Sequence, residues 1–196
     1  MAKAHGLLLA AFPPELAGLD ASPPPGWRAA CVGVGAVAAA LATARLLAEV
    51  RPDRVLFVGT CGAYDGRLAP GALVAAAEAV ATSVEEVLGG AYRPGIERAR
   101  FAAGWALPAR FTPVAVAVTP AITATADGAA ALARVAAVEH LELTGVFAAC
   151  AEADVPAAAA LAVANRAGPD AHAEWKARHA EVSRALVAAL REHGVL

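Results

Sequence analysis

The stretch LFVGTCGAY, residues 56–64, is the most informative part of this chain. Its apolar residues follow Arg54 and Val55 and predict a buried strand over residues 54–59. The small residues GTCG at 59–62 then predict a loop at the end of that strand. Glycines let a backbone approach a bound group closely, so we expect this loop to contact a ligand.

Apolar runs of similar length recur along the chain and alternate with alanine-rich stretches of helical spacing. This alternation predicts an α/β domain with a largely buried sheet. The predicted strands are residues 6–11, 29–35, 54–59, 72–80, 113–119 and 157–165. The predicted helices are residues 36–50, with Leu41, Leu46 and Leu47 on one face, about 143–153, and about 170–193, with Trp175, Val182, Leu186 and Leu190 at helical spacing. Residues 81–112 carry weaker signals and predict loop with some strand.

Length and charge narrow the possible functions. The 196 residues fit one domain over residues 1–196. The 16 basic and 18 acidic residues are spread along the chain and form no basic stripe, which argues against nucleic acid as a partner. No apolar span of about twenty residues is free of charges, so we expect no membrane segment. The apolar N-terminal run is interpreted as a first strand rather than a signal peptide, and the protein is predicted to be cytoplasmic.

The cysteines and histidines give no metal-binding pattern. Cys31, Cys61 and Cys150 are far apart, odd in number and surrounded by apolar residues, which predicts buried thiols rather than disulfides. The histidines also lack the spacing of metal ligands; they are His5, His140, His172, His179 and His193. The sequence therefore predicts neither a metal nor a cofactor.

The segment GVGAVA, residues 33–38, fits the G-x-G-x-x-A pattern of dinucleotide-binding folds. Such folds need an acidic residue at the end of the following strand, where it binds the ribose. Here that strand ends in Gly59 and Thr60, and Asp53 lies at its other end. The glycines at 33 and 35 are therefore interpreted as tight strand-to-helix packing, with possible contact to a smaller ligand.

Four segments together resemble the nucleoside phosphorylase and nucleosidase superfamily. The first is VGTCGAY followed by GRLAPGALV, in which Ala72 replaces a family aspartate. The others are AAFPPEL at 10–16, VEHLELTGVFAAC at 138–150 and ALAVANRAGPDAHAEW at 160–175. Within the superfamily these motifs are most similar to futalosine hydrolases and to 5'-methylthioadenosine/S-adenosylhomocysteine nucleosidases.

The resemblance implies a single-domain, three-layer αβα fold with a central mixed sheet, phosphorylase/hydrolase-like. It implies hydrolysis of the N-ribosidic bond of a purine nucleoside such as futalosine, in the menaquinone pathway, by a homodimer or higher homo-oligomer. The implied catalytic residues are Glu15, as the general base, and Asn165, which faces a 6-oxopurine. The implied substrate-binding residues are Thr60, Cys61, Gly62 and Thr123, Leu141 under the ribose, and Glu142 on its hydroxyls.

Other interpretations remain open at this stage. A phosphorylase of this family carries a phosphate-binding arginine two residues before the glycine loop, where this chain has Phe57, so water is favoured as the nucleophile. A phosphorolytic enzyme and a methylthioadenosine/S-adenosylhomocysteine nucleosidase are the alternatives. A family member that binds a nucleoside without catalysis is the alternative from another class. Glu15 and Glu142 would then be ordinary acidic residues near helix starts, and Asn165 an ordinary turn residue.

Overall fold

A computed structural model describes residues 5–19 and 23–196. Its central strand, β3 (Arg54–Ala63), begins with the apolar run quoted above. Val55 and Phe57 lie in the core on one face of the sheet, Leu56 and Val58 lie on the other, and all four are fully buried. This is the alternation expected of a strand covered on both faces.

Seven further strands complete one sheet. They are β1 (Gly6–Ala10), β2 (Trp27–Cys31), β4 (Leu73–Ala81), β5 (Arg100–Ala102), β6 (Thr112–Val118), β7 (Val138–His140) and β8 (Ala157–Arg166). The strand order is β2-β1-β3-β7-β6-β4-β5, and β8 pairs with both β3 and β4. Five strands, β3, β8, β4, β6 and β7, therefore close into a ring. The pairing is both parallel and antiparallel, so the predicted mixed sheet is confirmed.

The helices cover both faces of this sheet. They are a 3₁₀ helix (Pro13–Leu16), α1 (Ala36–Val50), α2 (Val84–Leu88), α3 (Ala126–Leu132), α4 (Leu143–Glu152) and α5 (Ala171–Glu192). Helices α1 and α4 pack against one face, and α5 packs against the other through Val182, Leu186 and Leu190. A smaller apolar cluster holds α2 and α3. The predicted three-layer α/β fold is confirmed, and in the described residues no helix is long and apolar enough to span a membrane.

The glycine segment at 59–62 is strand, not the predicted loop. Strand β3 continues through it to Ala63, because β8 runs beside it and β7 pairs with Gly62 and Ala63 from the other side. The β3–β8 register shifts by one residue between Cys61 and Gly62. Such a bulge re-aims the neighbouring side chains, which here brings Gly62 opposite Asn165.

The segment around GVGAVA also differs from its prediction. Strand β2 ends at Cys31 rather than at residue 35. Gly33 and Gly35 then adopt φ angles of 86° and 91°, which favour glycine and break the extended conformation before α1 begins. Leu41 is 71% exposed, although it was expected on one face with Leu46 and Leu47. Five residues along a helix rotate a side chain by about 140°, so Leu41 lies away from Leu46.

Two more differences concern short elements. Helix α4 spans Leu143–Glu152, as expected over about 143–153, whereas the short strand β7 before it was not predicted. Helix α3 was not predicted; the hydroxyl of Thr125 caps it by accepting from the Gly128 amide. The weak segment 81–112 contains the one-turn helix α2 as well as strand β5.

Candidate active site

A cavity of about 370 Å³ opens where β3, β7 and β8 end, between the 3₁₀ helix and the start of α5. Residues predicted for the site line it: Glu15, Thr60, Cys61, Gly62, Leu141, Glu142 and Asn165. They come from segments far apart in sequence, and the closing of the sheet brings them together. Thr123 is buried beside the cavity wall but does not line it.

Glu15 is held at the wall of the cavity by three hydrogen bonds. The amide and the hydroxyl of Thr60 donate to its Oε1 over 2.8 Å and 3.0 Å, and the Ala11 amide donates to Oε2 over 3.1 Å. The 3₁₀ helix begins at Pro13, whose fixed φ suits a helix start and directs Glu15 inward. Burial raises the pKa of the Glu15 carboxyl, although His140 and these donors oppose the shift. A carboxylate with such a pKa accepts a proton more readily than an exposed one.

Thr60 also joins Glu15 to the opposite wall of the cavity. The Trp175 indole donates through Nε1 to the Thr60 hydroxyl over 3.1 Å. Trp175 stacks on His179, with ring centroids 4.3 Å apart, and packs 6.0 Å from the Phe12 ring. These aromatic rings supply a flat apolar surface of the kind on which a planar base can stack.

Glu142 occupies the N-cap position of α4 and lies 4% exposed. Its Oε1 accepts from the Gly35 amide over 2.8 Å, and its Oε2 lies 3.0 Å from His140 Nδ1. The glycine segment after β2 therefore contacts the site through the backbone. Burial alone raises the pKa of the Glu142 carboxyl, but His140 and the amide donors outweigh burial and lower it below its ordinary value.

His140 lies between the acidic groups of the cavity. Its ring meets the edge of Phe57, with centroids 5.2 Å apart and planes at 90°. Burial lowers the pKa of His140, yet the carboxylates of Glu142, Glu15 and Glu139 outweigh it and raise that pKa above its ordinary value. The site therefore stabilises an imidazolium.

Asn165 lines the cavity and lies opposite Gly62, next to the bulge in the β3–β8 pairing. Its Nδ2 donates to the Arg166 carbonyl over 2.9 Å, which leaves one Nδ2 hydrogen and Oδ1 without a hydrogen-bond partner among the described residues. A Cβ added at Gly62 would lie 2.9 Å from Asn165 Nδ2 and 3.3 Å from the Glu139 side chain. Only glycine at position 62 leaves Asn165 in this place.

A third acid, Glu139, lies behind Gly62. The Tyr64 hydroxyl and the Thr123 amide donate to its Oε2, each over 3.3 Å. Burial raises the pKa of Glu139, although these donors oppose the shift. Thr123 therefore contacts the site through the hydrogen bond from its amide to Glu139. The Cys61 thiol is buried, and its pKa is raised by burial and by the nearby acids, so it remains protonated.

The sequence analysis gave no role to several residues of the cavity wall. They include Glu139 and His140, and also Phe12, Val34, Ile122, His172 and Trp175. For His140 a local signal existed, because glutamates at positions 139 and 142 flank it in an otherwise apolar segment. His140 was given no role because the histidines lack the spacing of metal ligands. That spacing does not indicate whether a carboxylate pairs with a histidine.

Comparison with known proteins places the chain in a family. Residues 28–193 match the family model described as the phosphorylase superfamily, so the protein belongs to that superfamily. A search of curated protein sequences found no match.

Solved structures with the same fold include nucleosidases. A futalosine hydrolase mutant of Helicobacter pylori aligns with a TM-score of 0.83 and 16% identity, over 97% of this chain and 98% of that one. A 5'-methylthioadenosine/S-adenosylhomocysteine nucleosidase from Helicobacter pylori, solved with butyl-thio-DADMe-Immucillin-A, aligns with a TM-score of 0.83 and 15% identity over 97% of both chains. The corresponding nucleosidase of Colwellia psychrerythraea, solved with adenine, aligns with a TM-score of 0.76 and 19% identity, over 95% of this chain and 92% of that one.

Proposed function

We propose that the protein is a nucleosidase that hydrolyses the N-ribosidic bond of a purine nucleoside. The observation that carries the proposal is the meeting of Glu15, Glu142 and Asn165 in one cavity. Glu15 and the His140–Glu142 pair lie beside Gly59 and Thr60 of β3, whereas Asn165 lies beside Gly62, as does Glu139. A nucleoside presents a sugar with hydroxyl groups at one end and a base with polar edges at the other, and it matches this distribution.

Glu15 is proposed as the general base. Breaking the bond to the base leaves positive charge on the sugar, and a water molecule must then reach the anomeric carbon. Glu15 orients that water and takes its proton. The three donors to Glu15 fix the carboxylate, and its raised pKa brings it nearer to the pH at which a base both remains ionised and accepts a proton.

Glu142 is proposed to bind the 2' and 3' hydroxyls of the ribose. Its pKa is lowered, so it is ionised at neutral pH and acts as an acceptor. Hydrogen bonds from the ribose hydroxyls to a carboxylate strengthen as the sugar becomes cationic, so this contact favours the transition state over the bound substrate. Leu141 lies beside Glu142 at the cavity wall and provides apolar surface for the sugar.

Asn165 is proposed to recognise the leaving base. Its free Nδ2 hydrogen can donate to O6 of a 6-oxopurine, and its Oδ1 can accept from a protonated N7. The preferred substrate is therefore a hypoxanthine or guanine nucleoside, of which futalosine in menaquinone biosynthesis is the proposed example. The fold resembles futalosine hydrolase and methylthioadenosine/S-adenosylhomocysteine nucleosidase equally, so Asn165 alone carries this choice and an adenine nucleoside is the alternative.

Water is favoured over phosphate as the nucleophile. Phe57 occupies the position of the phosphate-binding arginine of related phosphorylases, and its side chain is fully buried in the core. Among the described residues, those that line the cavity include no lysine or arginine. A phosphorolytic site needs cationic groups that are available to the anion, and the His140 imidazolium is paired with Glu142, so the composition of the wall supports hydrolysis.

Release of free purine tests the reaction. The wild-type protein is incubated with futalosine, inosine, methylthioadenosine and S-adenosylhomocysteine, each with and without phosphate. We expect phosphate-independent release of hypoxanthine that is lost in Glu15→Gln and Glu142→Gln. Glu152→Gln, an exposed glutamate in the last turn of α4, is the matched control and should retain activity. Release that requires phosphate would support a phosphorylase, and no release from any substrate would contradict catalysis.

Binding of the base is tested separately at Asn165. The chain has one asparagine and no glutamine, so Asn165 gives the only side-chain carboxamide signal in a ¹⁵N NMR spectrum. Hypoxanthine should shift this signal more strongly than adenine. An unchanged signal at saturating hypoxanthine would contradict the proposed role of Asn165.

A homodimer or higher homo-oligomer is also proposed. Val34, Val37 and Leu41 are 60%, 76% and 71% exposed and share one side of α1 and its preceding turn, and Val34 also lines the cavity. Exposed apolar side chains clustered in this way are typical of an interface. Light scattering should show a multimer that Leu41→Glu weakens, whereas Ala177→Glu on the exposed side of α5 should not. A monomeric wild-type protein would refute the proposal.

A further inference from the structure

The His140 side chain occupies a bridging place in the site. Its Nδ1 lies 3.0 Å from Glu142 Oε2. On the other side, a Cβ added at Gly59 would lie 3.2 Å from His140 Nε2 and 3.2 Å from Glu15 Oε1. The imidazole thus faces the proposed ribose-binding carboxylate with one nitrogen and the proposed general base with the other. The absence of a side chain at Gly59 leaves room for this arrangement.

The groups that face His140 come from several elements and are predominantly acidic. They are Glu15 on the 3₁₀ helix and Glu142 at the start of α4, and Glu139, which points to the other face of β7, adds its charge. A buried carboxylate without a cationic partner is costly, and three in one cavity also repel one another. An imidazolium at position 140 offsets both effects.

Two arrangements of the imidazole are possible at Glu142. The Glu142 amide nitrogen lies 3.2 Å from His140 Nδ1 and can donate to it only when this nitrogen carries no hydrogen. With a hydrogen on Nδ1, the imidazole donates to Glu142 Oε2 instead. A hydrogen on Nδ1 therefore decides whether His140 donates to the Glu142 carboxylate, and the imidazolium always carries this hydrogen and adds a positive charge.

We propose that protonated His140 is a positioning residue for the proposed hydrolysis. It holds the Glu142 carboxylate ionised and oriented for the ribose hydroxyls, and its charge favours the ionised form of Glu15. His140 forms no covalent bond and transfers no proton to the substrate in this role. The inference rests on the proposed function and adds His140 as the group that couples Glu15 and Glu142.

Activity should depend on the charge of His140. Glu15 must be ionised to take a proton from water, which gives the acidic limb of the pH profile of kcat/KM. His140 must be protonated, which gives the alkaline limb. The raised pKa of His140 places that limb above the ordinary range of histidine.

The test compares pH profiles of purine release. His140→Gln should lower kcat/KM by about 30-fold or more, the loss typical when one partner of a buried charge pair is truncated. Its alkaline limb should disappear, while the acidic limb of Glu15 remains. His193→Gln, an exposed histidine at the end of α5, is the matched control and should keep the wild-type profile. An alkaline limb that persists unchanged in His140→Gln would overturn the inference.

A second measurement separates this inference from the proposed reaction and does not need a folded His140 variant. NMR of the histidine ring nitrogens follows His140 in the wild-type protein and in Glu142→Gln. We expect a protonated ring at pH 7 in the wild type and a lower pKa in the variant. A neutral ring at pH 7, or a pKa unchanged by Glu142→Gln, would refute the bridging role. A protein that releases no purine would contradict the proposed function and the positioning role, even where the NMR result shows the ion pair.

Discussion

The hydroxyl of Thr60 gives the sharpest test of how the site is held. It donates to Glu15 Oε1 over 3.0 Å and accepts from Trp175 Nε1 over 3.1 Å, so it connects the proposed base to the aromatic wall. Thr60→Val keeps the branched shape but removes the hydroxyl. The Thr60 amide still donates to Glu15 over 2.8 Å, so the carboxylate stays in place with one donor fewer.

The cost follows from the two hydrogen bonds that are lost. A hydrogen bond to a charged group contributes about 1.5–3 kcal/mol and one between neutral groups about 0.5–1.5 kcal/mol. Thr60→Val should therefore lower the free energy of unfolding by about 2–4 kcal/mol at a pH where Glu15 is ionised. In a domain of this size, that lowers Tm by about 5–15 °C. Loss of a donor also raises the pKa of Glu15 further, so the acidic limb of kcat/KM moves to higher pH.

Urea unfolding and the pH profile of purine release measure these two effects. Thr60→Ser is the matched control, because it keeps the hydroxyl and should retain most of the stability and the position of the acidic limb. The indole signal of Trp175 should shift in Thr60→Val and not in Thr60→Ser. Equal stability and equal pH profiles in the two variants would show that the Thr60 hydroxyl does not hold Glu15.

Three further predictions concern the base, the helix packing and the charge pair. Asn165→Asp should shift the ratio of kcat/KM for 6-oxopurine over 6-aminopurine nucleosides by at least about 100-fold towards the aminopurine. The reason is that amide and carboxyl groups pair with different partners on the base. An unchanged ratio would contradict the proposed role of Asn165. Gly145→Ala should lower the free energy of unfolding in urea by about 3 kcal/mol, because its Cβ would lie 2.0 Å from a backbone carbonyl oxygen of α1. Gly66→Ala is the control, since a Cβ there meets nothing within 4 Å. Because the pKa of His140 is raised, its pairing stabilises the fold below the ordinary histidine pKa and is lost as pH rises through the folded-state pKa. The pKa of Glu142 is lowered, so its contribution is lost as pH falls through that value. In urea unfolding measured across pH, Glu142→Gln should reduce both of these pH-dependent losses of stability.

The elements that were predicted correctly have strong local patterns. Helix α5 was expected over about 170–193 and occupies Ala171–Glu192, because its apolar residues recur at helical spacing over six turns. Strand β8 was expected over 157–165 and ends one residue later. Burial on both faces makes such strands uniformly apolar, and this pattern is visible without knowledge of their partners.

The elements that were missed depend on distant partners. Glycines at 59 and 62 predict an interruption from local rules, yet β3 continues because β7 and β8 pair with it there. Strand β7 has only three residues, too few to show alternation. Its assignment matters for the site, since successive residues of a strand point to opposite faces. Glu139 accordingly faces Gly62 and His140 faces Gly59, a division that is not visible unless the segment is recognised as a strand.

The candidate site carries an excess of buried negative charge, and this excess suits the proposed chemistry. Three acids lie around the His140 imidazole, and burial raises the pKa of both Glu15 and Glu139 because it disfavours their charged forms. In the proposed reaction, the sugar becomes cationic as its base departs and so adds positive charge within the cavity. The attraction exists only once that charge has developed, so it lowers the barrier without strengthening the binding of the neutral nucleoside. In the proposed reaction, His140 offsets part of this negative charge and the cationic transition state offsets a further part.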